Sequence, residues 1–279
     1  MEKMMKPKVP VSEMDQQKSY FKYYLTNSTP VAPDKLGKVF RGPMNPVNAL
    51  PFAQRNRMFE PEFIQEEIGY CVMSDGTGYV SDMTFMPGVT AKMVDWWFAW
   101  RSLEPLRYVI GNPYSHIQAM TMQMEKMKDE DLSYQERYWD STQTVVKVGE
   151  MGPTSEFMNF KCPSDVGFDM EQIRAEDGSS LICARCYSKG TPPFAQPDYF
   201  VTHHVHEVEG GVEVRSRYWL GWSVRYGRDY KELQDGLRMP PMLPMGCILQ
   251  NMTEWAQLSI ILPDLYSEEK DNFTNCNIS

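Results

Sequence analysis

The stretch Met245-Gly-Cys-Ile-Leu-Gln-Asn-Met-Thr-Glu-Trp-Ala-Gln-Leu-Ser-Ile-Ile-Leu262, close to the C-terminus, has the pattern of one long helix. Pro244 stands where the first turn of a helix tolerates a missing N–H, and Pro263 predicts its end. The apolar residues recur at three- and four-residue steps: Ile248, Met252, Trp255, Leu258 and Leu262. A helix with so broad an apolar side must pack on another layer.

A polar row follows the same helical spacing, and it consists of Gln250, Glu254 and Gln257. The spacing alone favours a solvent-exposed face. The alternative is that Gln250 and Glu254 point into a ligand cavity, and the periodicity by itself leaves both interpretations open.

Length and composition narrow the classes of protein. The 279 residues fit one large domain or one domain with a small addition, and 42% hydrophobic residues are enough for a sizeable core. The net charge of −9 argues against a nucleic-acid partner. No apolar stretch is long enough to predict a membrane span, and the N-terminus lacks the pattern of a signal peptide. We therefore expect a cytoplasmic protein with reduced cysteines.

The chain divides into two parts by composition. Residues 1–68 are polar and rich in proline, which predicts a mostly irregular arm with short helical turns that packs on a partner subunit of a homodimer. Residues 69–279 form the second part. There, Gly69–Met73 and Gly78–Met86 flank the turn Ser74-Asp-Gly-Thr, which predicts a hairpin. Thr90 caps a tryptophan-rich helix over residues 91–101.

From about residue 141 the chain alternates strands with short turns, which predicts an antiparallel sheet. The last predicted hairpin joins Tyr199–Val208 to Val212–Trp222 across Glu209-Gly-Gly. The fold class is therefore α+β, with a curved antiparallel sheet packed on the long C-terminal helix and room for a cavity between them.

The sequence contains two clusters of potential metal ligands. Cys183-Ala-Arg-Cys186 lacks the second cysteine pair of a zinc ribbon, and in a strand its two thiols face opposite sides, so it is interpreted as structural. In His203-His-Val-His206, the alternation favours an outer polar face for His204 and His206 over a zinc site. His203 then points inward, near Tyr218 of the partner strand.

Several motifs carry a resemblance to a known family. They are Arg107-Tyr-x-x-x-x-Pro-x-x-His116, Pro163-x-Asp-x-Gly-Phe-Asp, Thr202-His-His-Val, Arg215-Ser-Arg-Tyr-Trp-Leu-Gly and Leu249-x-x-x-x-Glu254-Trp-x-x-Leu-x-x-x-Leu-Pro-x-Leu-Tyr. Over residues 40–270 the chain resembles the 2,4-diacetylphloroglucinol hydrolases and phloretin hydrolases. The resemblance implies a helix-grip (Bet v 1-like) domain, an N-terminal dimerisation segment, and cleavage of the carbon–carbon bond between an acyl group and a phloroglucinol-type ring.

The resemblance also implies site residues. The family holds zinc with a His, a strand Glu and a His-x-x-x-Glu pair on the C-terminal helix. His116 and Glu254 match the first and last ligands, while Lys147 and Gln250 occupy the other two positions. The family positions that contact substrate or move protons fall on Tyr108, His203 and Tyr218, and Gln250 and Trp255 of the helix are expected to join them in binding substrate.

Ligand chemistry makes zinc doubtful in this chain, and the expectation is no cofactor. A protonated lysine offers no lone pair, and glutamine is a weak ligand for zinc. A bulge at Gly149 that turns Glu150 inward would restore a poor metal site. Otherwise Lys147 would pair with Glu254 or donate a hydrogen bond to a substrate carbonyl, as in an oxyanion hole.

Three functions remain open from the sequence. The first is a hydrolase that cleaves an acylated polyphenol or aromatic polyketide by acid–base and carbonyl-polarising catalysis. The second is a metal-free cyclase, isomerase or cycloaddition catalyst of polyketide secondary metabolism that uses the same pocket. The third is a non-catalytic carrier of such aromatic ligands.

Overall fold

The structure is a computed structural model, and it describes residues 7–60, 66–149, 152–175, 178–188 and 198–274. The helices are α1 (Phe21–Leu25), α2 (Pro33–Phe40), α3 (Ala91–Trp100), α4 (Pro105–Val109), α5 (Met124–Lys128), α6 (Tyr134–Tyr138), α7 (Met170–Ala175) and α8 (Met242–Glu269). The strands are β1 (Gly69–Val72), β2 (Gly78–Pro87), β3 (His116–Thr121), β4 (Thr142–Gly149), β5 (Gly152–Lys161), β6 (Ser180–Tyr187), β7 (Tyr199–Val208), β8 (Gly211–Leu220), β9 (Trp222–Arg225) and β10 (Arg228–Lys231).

One antiparallel sheet of eight strands has the order β1-β2-β8-β7-β6-β5-β4-β3, and β9 and β10 form a separate hairpin. Successive strands from β3 to β8 are neighbours, as short connections require. The predicted hairpin across Glu209-Gly-Gly is confirmed, because Val208 pairs with Gly211. The sheet packs on α8, and the α+β, helix-grip (Bet v 1-like) prediction is confirmed.

Helix α8 is longer than the sequence predicted. It begins at Met242 and continues through Pro263 to Glu269, so the prediction that Pro263 ends the helix was wrong. Leu262 and Leu265, on either side of the proline, are both fully buried. The burial of these two side chains stabilises the helix enough to offset the one backbone hydrogen bond that Pro263 cannot donate.

The predicted tryptophan-rich helix is α3. The side chain of Thr90 accepts a hydrogen bond from the Met93 N–H at 3.3 Å, which confirms the predicted cap. Trp96, Trp97 and Trp100 are almost completely buried. Helix α3 therefore lies inside the main apolar core, next to α8 and the inner face of the sheet.

A second apolar core lies on the other face of the sheet, and the N-terminal part of the chain supplies five of its fourteen buried residues among those that the structure describes. Phe52, in a 3-10 helix over Phe52–Phe59, packs edge-on against Phe200 and Trp219 of the sheet at ring centroid distances of 5.5 and 5.4 Å. The described part of the arm thus covers the sheet of its own chain. The proposed boundary at residue 68 and the contact with a partner stay predictions.

The N-terminal segment that packs on this face of the sheet corrects the interpretation of His204. The side chain does lie on the face opposite His203, as alternation requires, but it is fully buried rather than solvent-exposed. The ring of Phe59 contacts it edge-on at 5.0 Å. Strand alternation fixes the side of the sheet that a residue occupies, whereas the segment that covers that side comes from elsewhere in the chain.

The cysteine interpretation is confirmed. Cys183 lies in the outer core and Cys186 in the inner core, so the two thiols face opposite sides of β6. Within the described ranges, no helix is long and apolar enough to cross a membrane.

Candidate active site

A cavity of about 750 Å³ lies between α8 and the inner face of the sheet. Seven of the predicted site residues line it, and they are Tyr108, Lys147, His203, Tyr218, Gln250, Glu254 and Trp255. His116 lies directly behind Glu254. The polar row of α8 therefore faces a cavity at Gln250 and Glu254, which decides between the two interpretations of the helix.

Helix α4 and strand β3 position the first pair of residues. Tyr108 and His116 stack with parallel rings, 3.8 Å between centroids. His116 Nδ1 is 3.0 Å from the Tyr108 carbonyl oxygen, and His116 Nε2 is 2.8 Å from Glu254 Oε1. Burial lowers the pKa of His116, against the opposing effect of Glu254. The imidazole is thus held rigidly with one nitrogen directed at α8.

Three polar side chains surround one oxygen of Glu254. Besides His116, the side-chain amide of Gln250 donates to Oε1 at 2.9 Å, and Lys147 Nζ lies 3.9 Å away. Burial acts to raise the pKa of Glu254, but His116 and Lys147 outweigh it and hold the pKa well below its usual range. Glu254 is therefore ionised at neutral pH.

Lys147 lies beside a second carboxylate that sequence reasoning missed. Its Nζ is 3.3 Å from Glu156 Oε1, and the Tyr199 hydroxyl donates to Glu156 Oε2 at 2.8 Å. Burial acts to lower the pKa of Lys147, but Tyr108, Glu156 and Glu254 outweigh it, so the pKa is raised. A signal for Glu156 was available, because strand alternation places it on the same face as the buried Met158.

These residues do not fit a zinc site. Only His116 and Glu254 offer suitable donor atoms at the family positions, since Lys147 carries a proton and Gln250 donates its amide to Glu254. Within the described ranges, no group of three or more His, Cys, Asp or Glu is arranged to hold a metal. Glu150, the residue that a bulge at Gly149 would turn inward in the alternative metal site, lies outside those ranges.

His203 has a defined hydrogen-bond partner at the opposite wall. Its Nδ1 is 2.8 Å from Ser216 Oγ, which also accepts from the indole N–H of Trp255 at 3.1 Å. The same indole N–H also lies 3.1 Å from Asn251 Oδ1, so Trp255 shares its proton between the two acceptors. Burial lowers the pKa of His203 to about 3, so the ring is neutral at pH 7.

Tyr218 is oriented from behind by Asn251. The tyrosine hydroxyl donates to Asn251 Oδ1 at 2.8 Å, and Asn251 Nδ2 donates to Asp82 at 2.9 Å. Lys35 pairs with Asp82 at 2.8 Å, so the chain of contacts ends on the N-terminal segment. Burial raises the pKa of Tyr218, and the hydroxyl stays protonated. Arg101, which sequence reasoning also missed, lines the cavity near Phe98 and Tyr108.

Comparison with known proteins places this chain in a family. A sequence profile described as the DAPG hydrolase PhiG domain matches residues 50–267. Phloretin hydrolase of Eubacterium ramulus is 35% identical over 95% of this chain and 96% of the relative. A 2,4-diacetylphloroglucinol hydrolase of Pseudomonas sp is 29% identical over 90% of this chain and 88% of the relative.

Among solved structures, the crystal structure of Ara h 8.0201 matches with a TM-score of 0.42 and 6% identity, covering 68% of this chain and 99% of that one. The family assignment rests on the sequence matches, which span the sheet, α8 and every residue that lines the cavity. The chain belongs to the DAPG hydrolase PhiG domain family.

Proposed function

We propose that this protein hydrolyses the carbon–carbon bond between an acyl group and a polyhydroxylated aromatic ring of the phloroglucinol type. The observation that carries the proposal is the convergence of Tyr108, His203 and Tyr218 on one cavity in a member of this family. Relatives named phloretin hydrolase and 2,4-diacetylphloroglucinol hydrolase support the substrate class. An aromatic-lined cavity of about 750 Å³ holds a flat ligand of this size.

The balanced reaction consumes one water. Its oxygen bonds to the acyl carbon, the bond from that carbon to the ring breaks, and the ring carbon takes a proton. The products are a carboxylic acid and the deacylated phenol. His116 and Glu254 are the proposed binding site for the water, and Tyr108 orients the ring. His203 and Tyr218 are the proposed residues that move the proton to the ring carbon.

We further propose that the reaction needs no metal and that Lys147 supplies the positive charge. Its ammonium lies 3.9 Å from Glu254 Oε1, beside the place where the attacked carbonyl must approach the water. A fixed ammonium stabilises the negative charge that develops on that carbonyl oxygen. Gln250 and Trp255 are proposed to contact the substrate from α8.

The experiment is product analysis of purified protein with monoacetylphloroglucinol, with and without a chelator and with added zinc. Release of acetic acid and phloroglucinol at equal rates in all three conditions is expected. A cyclised or isomerised product would favour a metal-free cyclase or isomerase, and no turnover would favour a carrier. Either result would contradict the hydrolase proposal.

A variant with the ligand types of the family tests the proposal of metal independence separately. The double substitution Lys147→Glu, Gln250→His recreates the ligand types that the family resemblance implies. Elemental analysis is expected to find about one zinc per chain in this variant and none in the wild type, because both new groups offer lone pairs. Stoichiometric zinc in the wild type would contradict the proposal of metal independence.

We also propose a homodimer in the cytoplasm. The N-terminal segment exposes several large apolar side chains, including Leu25, Phe40 and Val47. The five described cysteines are all free thiols, which is consistent with a reducing compartment. Light scattering should give twice the 32.4 kDa chain mass, and a Phe40→Glu variant should shift it toward monomer. A monomer mass for the wild type at micromolar concentration would refute the dimer.

A further inference from the structure

Arg101 directly follows α3, and its side chain lines the cavity. The residue is only 5% exposed. Its Nε and Nη2 have no hydrogen-bond partner among the described residues. A permanently charged group is therefore buried at the wall of the cavity with two donors unused.

Three of the four other buried arginines have a carboxylate partner, and the fourth, Arg137, donates to the Leu132 carbonyl at 3.1 Å. Arg107 pairs with Glu104 at 3.2 Å and Arg55 with Asp229 at 2.9 Å. Arg217 pairs closely with Glu67. Burying an ion without a counter-charge is costly, which is why buried arginines are normally paired. A partner that binds in the cavity would supply what Arg101 lacks.

Aromatic rings, rather than carboxylates, lie next to the guanidinium of Arg101. The guanidinium carbon is 4.2 Å from the ring centroid of Phe98 and 5.4 Å from that of Tyr108. Such cation–π contacts stabilise a positive charge without neutralising it. The position after α3 also places the charge at the negative end of that helix. The guanidinium is thus held at the cavity wall without a salt bridge to a carboxylate of the described residues.

The other cation of the cavity is already neutralised. Lys147 lies between two carboxylates, Glu156 at 3.3 Å and Glu254 at 3.9 Å. The titratable groups close enough to interact with Arg101 come from five elements: Tyr108 of α4, Cys186 of β6, His203 of β7, Tyr218 of β8 and Glu254 of α8. Of these, Glu254 is a carboxylate, and its Oε1 is the oxygen held by His116, Gln250 and Lys147.

We propose that Arg101 binds an anionic oxygen of the aromatic substrate through its guanidinium, so that an acylphenol is held as its phenolate. The identity of the ligand as an acylphenol rests on the proposed function, whereas the binding of an aromatic oxyanion does not. A phenolate pushes electron density into the ring and makes the ring carbon easier to protonate. Arg101 would then favour the proton transfer to the ring carbon.

The test is a titration of monoacetylphloroglucinol, followed by its absorption because the phenolate absorbs at longer wavelength than the phenol. Wild-type protein is expected to bind the ligand ionised at a pH below the ligand's own pKa. Arg101→Gln should bind it about tenfold to hundredfold more weakly and in its neutral form, since a charge-assisted pair is lost. Arg101→Lys should recover part of the affinity.

Arg137→Gln is the matched control. Arg137 is also buried and stacks on an aromatic ring, with its guanidinium carbon 4.5 Å from the centroid of Phe273, but it does not line the cavity. This variant loses a buried charge of the same kind and should bind the ligand as the wild type does. A ligand with all ring hydroxyls methylated should bind the wild type and Arg101→Gln equally.

A folded Arg101→Gln variant with unchanged affinity and an unchanged bound spectrum would overturn the proposal. If that variant does not fold, equal wild-type affinity for the ionisable ligand and its methyl ether overturns it instead. If the wild type binds no acylphenol, the proposed function fails. In that case, benzoate binding tests the anion site separately from the proposed function. If the wild type binds benzoate and Arg101→Lys binds it more weakly, the anion site is supported. If the wild type does not bind benzoate, the anion site is refuted.

Discussion

At the scale of single residues, the charge of Lys147 organises the proposed water site. Lys147 pairs with His116 in the strand register, so its side chain enters the cavity beside the imidazole. Glu156 and Glu254 lie within 4 Å of its ammonium. Without this cation the two carboxylates would share a buried volume with no counter-charge, which is electrostatically unfavourable.

Lys147→Met should therefore lower kcat/KM by about a hundredfold to a thousandfold, as the loss of an oxyanion-stabilising donor does elsewhere. The loss should fall mainly on kcat, because the ammonium acts on charge that develops during the reaction. Steady-state kinetics with monoacetylphloroglucinol measures both terms. Lys161→Met is the control, since Lys161 pairs with Asp140 at the surface. A change in KM alone would contradict the role.

His203 carries a pH prediction. Burial lowers its pKa from 6.5 to about 3. Between pH 3 and pH 6.5 the unfolded chain therefore carries a proton on His203 that the folded chain does not carry. The stability that depends on neutral His203 is fully present above pH 6.5 and is lost as the pH falls toward 3. By pH 4 the loss is on the order of 3 kcal/mol for this group.

Urea unfolding of wild type and His203→Gln at pH 7 and pH 4 measures this contribution. The free energy of unfolding should fall less in His203→Gln than in the wild type, because glutamine takes up no proton. Equal losses in the two proteins would show that His203 is not buried in its neutral form.

At the scale of elements, α8 carries two roles on different sides. Ile248, Met252 and Leu262 are buried in the apolar cores, while Gln250 and Glu254 face the cavity. The helix continues through Pro263, so the Ser259 carbonyl lacks the N–H that residue 263 would normally supply. Packing on the sheet, rather than helix propensity, determines where α8 ends.

Pro263→Ala should accordingly raise the free energy of unfolding by about 1 to 2 kcal/mol, because alanine restores a backbone hydrogen bond within the helix. Pro244→Ala is the matched control on the same helix. It lies in the first turn, where no N–H is used by the helix, so stability should change little. Thermal and urea unfolding compare the two variants, and a destabilised Pro263→Ala would mean that the packed helix requires the proline geometry.

At the scale of the whole molecule, the sheet separates two tasks. Its inner face and α8 enclose the cavity, and its outer face packs on residues of the N-terminal segment. That segment also reaches α8 through Gln257, whose side-chain oxygen accepts from the Thr29 N–H at 3.1 Å and whose amide donates to Thr26 at 3.2 Å. The N-terminal segment is thus fixed to both layers of the fold.

Gln257→Leu should destabilise the protein by about 1 to 2 kcal/mol, because it leaves the Thr29 N–H without its partner. Hydrogen exchange should accelerate at residues 26–29 in particular. Ser259→Ala is the control, since the Ser259 hydroxyl donates only within α8, to the Ala256 carbonyl. Unchanged exchange at residues 26–29 in Gln257→Leu would show that other contacts hold the segment.

The sequence by itself determined the fold class, the hairpins and the cap of α3, because these depend on local periodicity and turn chemistry. The assignment of Lys147 and Gln250 to ligand positions of the family stays a prediction from the resemblance. Tertiary structure alone decided which polar side chains meet. The pairing of β4 with β5 brings Lys147 and Glu156 together, and the packing of α8 on the sheet adds Glu254 from far along the chain.

The same reason explains the wrong predictions and the missed residues. His204 is buried because a segment more than a hundred residues earlier covers its face of the sheet, and Pro263 is helical because its neighbours pack on the core. Arg101 gave no signal in the sequence, because only the fold places it at the cavity wall without a carboxylate partner among the described residues. Side-chain burial depends on the packing of the whole molecule, whereas periodicity predicts only which face of each element is apolar.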